Sequence, residues 1–187
     1  MKSKSLVCSA VVLPLFLTGL SGWAIGGISG GGGNIIAQGR PTVLASAEHA
    51  EDLVRTGSQQ LEKYLQAKVA VRANLALLDD PLNQLFNKNS QGQNIFDILA
   101  NSRVDIRDSS PCLDSAGNPV DGSSVMAPNS ICLSSMRIAA KVDADEIPEQ
   151  AAALMMHEFS ERLGFDDGFA VEVQKQVLRD FERSESK

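Results

Sequence analysis

The residues best suited to chemistry lie in one short stretch, Met156-His157-Glu158-Phe159-Ser160-Glu161-Arg162-Leu163-Gly164-Phe165-Asp166-Asp167. His157 and Glu161 are four positions apart, so on a helix both project from one face. Such a pair can grip one metal ion. Glu158, beside His157, can reach a water on that ion. Gly164 ends the helix and lets the chain turn back, and Asp167 or Asp166 just beyond can supply a third ligand. Three protein ligands plus a water is the open arrangement that catalytic zinc uses.

The same letters also spell a solvated amphipathic helix. His157, Glu158, Glu161 and Arg162 form one polar strip, while Ala153, Met156 and Phe159 fall largely on other faces. Glu158 and Arg162 then make only an i,i+4 ion pair, worth a few tenths of a kcal/mol. The other histidine, His49, sits among Glu48, Glu51 and Asp52 and reads as solvated. It is also the only imidazole left to join His157. Ser160 has no spare histidine beside it, which argues against a serine nucleophile.

The elements that must position these residues follow from periodicity. A helix starts near Ile147, with Pro148 in its first turn where a missing N–H costs nothing. It runs through Ala151, Leu154, Met155 and Phe159 to Leu163, with Gly164 as its cap. A second helix starts near Asp166 or Asp167 and presents Phe169, Val173, Val177, Leu178 and Phe181. Upstream, Ser46 caps a helix running to about Lys68, with Gly57 weakening its middle. Further helical stretches cover about Val69–Leu78, the residues after Asp80-Pro81, and Ile95–Leu99. Residues 104–108 and 130–136 read as strands, and 34–38 and 41–45 as two short strands around a tight turn. The expected fold is α+β, mainly helical with a few short strands, with the site helix at about 147–163.

The N-terminus reads as an export signal. Lys2 and Lys4 precede an apolar run from Leu6 to Leu20, and Gly22-Trp23-Ala24 offers a small-residue cut after Ala24. The apolar run is shorter than the roughly 20 residues that span a bilayer. Residues 1–24 are therefore expected as a signal peptide, 25–33 as a glycine-rich linker and 34–187 as a single domain. An uncleaved anchor helix is the alternative. Gly30 to Gly33 lack the preceding strand and following lysine of a phosphate-binding loop.

Cleavage takes Cys8 away and leaves Cys112 and Cys132. Two cysteines in an exported chain are expected to pair, with free thiols or metal ligands as the alternatives. The loop between them, rich in Pro, Gly, Asn and Asp, has little core of its own and needs a staple. The charge, -6 for the full chain, becomes about -8 without the two leader lysines. An acidic chain with no basic block suits neither nucleic acid nor anionic membrane. Trp23 leaves with the leader and Tyr64 is the only tyrosine, so no aromatic platform exists for stacking bases or sugars.

The helix with His157 and Glu158 resembles that of the zincin metallopeptidases, which carry H-E-x-x-H. More closely, the chain is similar to small exported bacterial zincin-like proteins. These have a glycine-rich mature start, a cysteine pair ending in an S-I-C-[IL]-S strand, and a helix reading H-E-[LF]-S-H-x-x-G followed by an acid, an alanine and a glutamine. The matching residues are Gly30 to Ile36, Cys112, Ser130-Ile131-Cys132-Leu133-Ser134, His157, Glu158, Ser160, Gly164, Asp167, Ala170 and Gln174. The resemblance implies a zinc-dependent peptide hydrolase of the periplasm or exterior. His157, Glu161 and Asp167 would hold the metal and Glu158 would be the catalytic base. The Ile131–Met136 strand would align an extended peptide substrate. Glu161 stands where the family has its second histidine. One imidazole and two carboxylates make a harder ligand set, open to other divalent ions. A catalytically inactive, envelope-associated binding domain is the alternative.

Overall fold

The computed structural model describes residues 32–36, 41, 45–71, 80–125 and 129–185. The expected leader, residues 25–31 of the linker, most of the second N-terminal strand and the helical stretch over 72–78 lie outside the described residues. The architecture is α+β and mainly helical. In chain order it comprises α1 (Ala47–Ala70), α2 (Leu82–Leu85), α3 (Ile95–Asn101), β1 (Arg103–Arg107), β2 (Cys112–Leu113), β3 (Pro119–Val120), β4 (Gly122–Ser123), β5 (Ser130–Ser134), α4 (Ser135–Ala139), α5 (Ile147–Arg162) and α6 (Asp167–Glu185).

Local chemistry explains the element ends. Ser46 Oγ accepts from His49 N and caps α1. Asn94 and Asp97 form a reciprocal capping box on α3. Pro148 occupies the first turn of α5, and Gly164 adopts φ 92° just beyond its end. Two expected strands differ from the structure. Ser135 and Met136 belong to α4, because the chain turns into a helix directly after Ser134. Residues 34–36 form no strand; side chains of Asp121, Gln150 and Gln174 take up their backbone groups instead.

α5 is the centre of the molecule. It packs against α1 on one side and α6 on the other. Almost every residue from Ile147 to Glu161 is buried, so it is a core helix and not an amphipathic surface helix. Gly57 lets α1 come close: a Cβ there would lie 2.3 Å from Pro148 O and 2.9 Å from Ala151 Cβ. The glycine that weakens α1 locally is thus the one that lets it dock. At the other end, Lys68 and Tyr64 of α1 both reach Asp180 of α6, at 2.6 and 2.8 Å.

A three-stranded sheet in the order β1-β5-β4 covers the other face. β1 is parallel to β5, with Arg103 opposite Ser130 and Arg107 opposite Ser134, and β4 is antiparallel to β5. β5 is therefore the central strand, with Cys132 and Leu133 paired to neighbours on both sides. This corrects the expectation that it aligns a substrate, because those backbone groups are already in use. Cys112 and Cys132 form a disulfide that ties the β2–β3 hairpin to β5.

Among the described residues, no helix is long and apolar enough to cross a membrane.

Candidate metal centre

The polar residues of α5 point inward. His157 is 1% exposed, Glu158 0% and Glu161 1%. A solvated strip is excluded by that burial. Arg162 does not pair with Glu158 as an i,i+4 partner would; its guanidinium donates to Ser130 O at 3.0 Å and Asn129 Oδ1 at 3.1 Å.

One ligand atom from each of His157, Glu158 and Glu161 lies within 4.8 Å of the others. His157 Nε2 is 3.8 Å from Glu161 Oε1 and 3.5 Å from Asp167 Oδ1. Ligand atoms about 2.0–2.1 Å from a tetrahedral ion stand about 3.4 Å apart from each other. The observed spacings are close to that edge length, and too long for direct hydrogen bonds. Asp167 reaches the cluster from the first turn of α6, with its side chain 64% exposed. It is the one member of the group that meets solvent.

The donor set fits a divalent cation on a second count. His157 Nε2, Glu158 Oε2 and Glu161 Oε1 are buried and have no hydrogen-bond partner. Orphaned buried polar atoms are costly, and three in one place mark a site built for something that binds them. Burial pushes Glu158 up to about 8, helped by the negative charge of Glu161. Burial also raises Glu161 to about 7, with Asp167 adding to it. The His157 imidazole is pushed down by burial, against the opposing pull of Asp167 and Gln174. Two adjacent buried carboxyls resist joint ionisation until a cation arrives. His157, Glu158 and Glu161 thus form a buried group able to hold a metal ion.

Several residues at the centre carry no local sequence signal. Gly33 N donates to Glu158 Oε1 at 2.8 Å, and Gly122 N donates to Gly33 O at 3.0 Å. Added Cβ atoms would meet Glu158 Oε1 at 2.7 Å from Gly33 and at 3.0 Å from Gly122. Both positions therefore need glycine. Gly32 and Gly33, expected as the end of a flexible linker, are packed into the domain. Ser124 Oγ donates to Glu161 Oε2 at 3.4 Å. Asp121 is fully buried, accepts from Ile35 N at 3.0 Å and pairs with Arg137 and Lys141. It anchors the segment that carries Gly33. The glycine run was the only visible hint of any of these.

The remaining candidates fall outside the centre. His49 is exposed in the first turn of α1 and belongs to no described group of metal-ligating residues. Ser160 is buried and its hydroxyl donates to Met156 O at 2.7 Å, which leaves no nucleophile there. Asp166 caps α6 by accepting from Phe169 N at 2.8 Å, so Asp167 is the acid that faces His157.

No protein-family model, curated protein or solved structure matches the chain.

Proposed function

We propose that the protein is a metal-dependent peptide hydrolase working outside the cytoplasm, in the cell envelope or the exterior. The observation that carries this reading is the convergence of His157 Nε2, Glu158 Oε2 and Glu161 Oε1, all buried and unpartnered. His157, Glu161 and Asp167 hold the ion, zinc or another divalent metal. Such an ion supplies Lewis-acid polarisation of a carbonyl and lowers the pKa of a water. Glu158 takes the proton of the attacking water and gives it to the leaving amine. Burial suits it to that work, because a carboxyl raised to about 8 in the metal-free chain is a stronger base than an exposed one once a bound cation favours its ionised form. Gly33 N–H fixes one of its oxygens and leaves the other free. The extracellular assignment rests on the export-like N-terminal sequence and on the Cys112–Cys132 disulfide.

A second reading is a non-catalytic metal-binding domain that serves a partner. The burial of His157, Glu158 and Glu161 favours it, since only Asp167 meets solvent.

Elemental analysis of the purified protein separates these from a metal-free role. About one divalent ion per chain is expected, lost in His157→Ala. Cleavage of a peptide library, reduced at least about 100-fold in Glu158→Gln with the ion retained, supports hydrolysis. An ion without cleavage supports the second reading. No ion, and no thermal shift on adding zinc, ends both.

A further inference from the structure

Asp121 is fully buried, yet it lies outside the group formed by His157, Glu158 and Glu161. Its carboxylate meets three donors. Oδ2 accepts from Ile35 N at 3.0 Å and from the Lys141 ammonium, and Oδ1 accepts from Arg137 Nε at 3.0 Å. Its carbonyl accepts from Ser134 N at 2.7 Å, at the end of β5. The next residue, Gly122, donates its N–H to Gly33 O at 3.0 Å. Asp121 and Gly122 thus grip the same short segment twice, at the Gly33 carbonyl and at Ile35 N–H. Gly33 N–H, so held, donates to Glu158 Oε1 at 2.8 Å. A carboxylate in the core is costly unless it is paired and hydrogen-bonded. Arg137 of α4 and Lys141 just beyond that helix, both partly exposed, supply the pairing. A neutral acceptor would satisfy one backbone N–H; a charged one holds it more tightly.

We infer that Asp121 is a positioning residue for Glu158: by fixing Ile35, and with it Gly33, it sets which carboxyl oxygen of Glu158 is tied and which is free. The last torsion of a glutamate is broad, so the side chain's own preference does not decide this. Gly33 N–H ties Oε1, while Oε2 has no partner. The use of the free oxygen as a base rests on the hydrolase reading above; the orientation itself does not.

Asp121→Asn tests this, because an amide offers one acceptor oxygen where the carboxylate offers two. It cannot take Ile35 N–H and both cations as the carboxylate does. The Gly33 amide resonance of nitrogen-15-labelled, metal-free protein reports the bond to Glu158, and Glu158→Gln gives its position without a carboxylate acceptor. Asp121→Asn is expected to move the resonance toward that position and to speed exchange of this amide with solvent at least about tenfold. At saturating zinc, kcat for peptide cleavage is expected to fall about 10- to 100-fold, with KM within about twofold of the parent. Lys141→Met removes one partly exposed partner of Asp121 and is expected to move the resonance the same way by less, which covers the case where the asparagine variant does not fold. A Gly33 resonance unmoved in the folded variants, or a loss of stability with kcat unchanged, makes Asp121 a structural residue only and overturns the inference. A parent protein that cleaves no peptide ends the hydrolase reading, and the Gly33 resonance then decides the positioning role alone.

Discussion

Gly33 and Glu158 are 125 positions apart in the chain, yet the backbone N–H of one donates to the carboxylate of the other at 2.8 Å, wholly buried. The segment of residues 32–36 thus enters the core beside the centre. Its contacts through Gly33, Asn34, Ile35 and Ile36 reach Glu158, Gln174, Asp121 and Gln150. Backbone groups make every one of these polar contacts, while Ile35 adds its side chain to the core and Gly33 must stay small.

Gly33→Ala tests that demand. The new Cβ would lie 2.7 Å from Glu158 Oε1, 2.8 Å from His157 Cδ2 and 2.9 Å from Leu154 Cδ1. Overpacking of this kind costs about 1–3 kcal/mol. Urea denaturation is expected to show that loss, and zinc titration a weaker site. A variant as stable as the parent would mean that the segment yields easily and does not brace the centre.

Asp167→Ala separates ligation from folding. The side chain is 64% exposed, so its removal is expected to change stability by less than about 0.5 kcal/mol. Zinc affinity should nonetheless fall at least about tenfold, since one ligand of three is lost. Equal affinity in the two proteins would assign the third ligand to Glu158.

The centre also sets a pH signature. Glu158 is raised to about 8 and Glu161 to about 7 in the folded state, both above their unfolded values. The folded, metal-free chain therefore binds more protons than the unfolded chain between those values. Its stability is expected to fall as pH rises toward 8, by at most about 1.4 kcal/mol per pH unit for each carboxyl. His157 acts in the opposite sense: its lowered pKa costs stability as pH drops below the ordinary imidazole range. Between about pH 6.5 and 8 the carboxyls dominate. Zinc needs the ionised carboxylates, so it should bind more tightly across that window and release protons as it does. Denaturation curves with and without zinc at pH 6.5 and 8 check both halves. A metal-free protein equally stable at the two pH values would contradict the burial argument.

Reducing the Cys112–Cys132 bridge releases a loop spanning 20 positions. On chain entropy the expected loss is about 3 kcal/mol. Denaturation of the oxidised protein and of a double serine variant gives the difference. The β2–β3 hairpin, which has little core beyond Val120 and the two cysteines, should lose amide protection first.

The sequence was most readable where structure is local. Ser46 before α1, Pro148 and Gly164 around α5, and the turn-rich stretch between two cysteines all act through neighbours a few residues away. The helices they bound appear close to the expected positions. It failed at Ser135 and Met136, which β-like patterning placed in a strand although the chain had already turned into α4. For α5, local pattern left two readings open, since a polar strip looks alike whether it faces water or a core.

What the sequence by itself determined is the inventory: an i,i+4 pair of His157 and Glu161 on one helix face, Glu158 beside it, an acid after Gly164, and two cysteines to join. What only the tertiary structure decided is their environment. α1, α6 and the sheet enclose α5, and that burial turns three polar side chains, His157, Glu158 and Glu161, from part of a solvated strip into a group of unpartnered, converging atoms. Burial and long-range backbone contacts, such as Gly33 N–H on Glu158 and Asn34 C=O on Gln174, depend on which distant segments pack together. No local spacing encodes that, and so Gly33, read as the end of a linker, proved to be part of the centre.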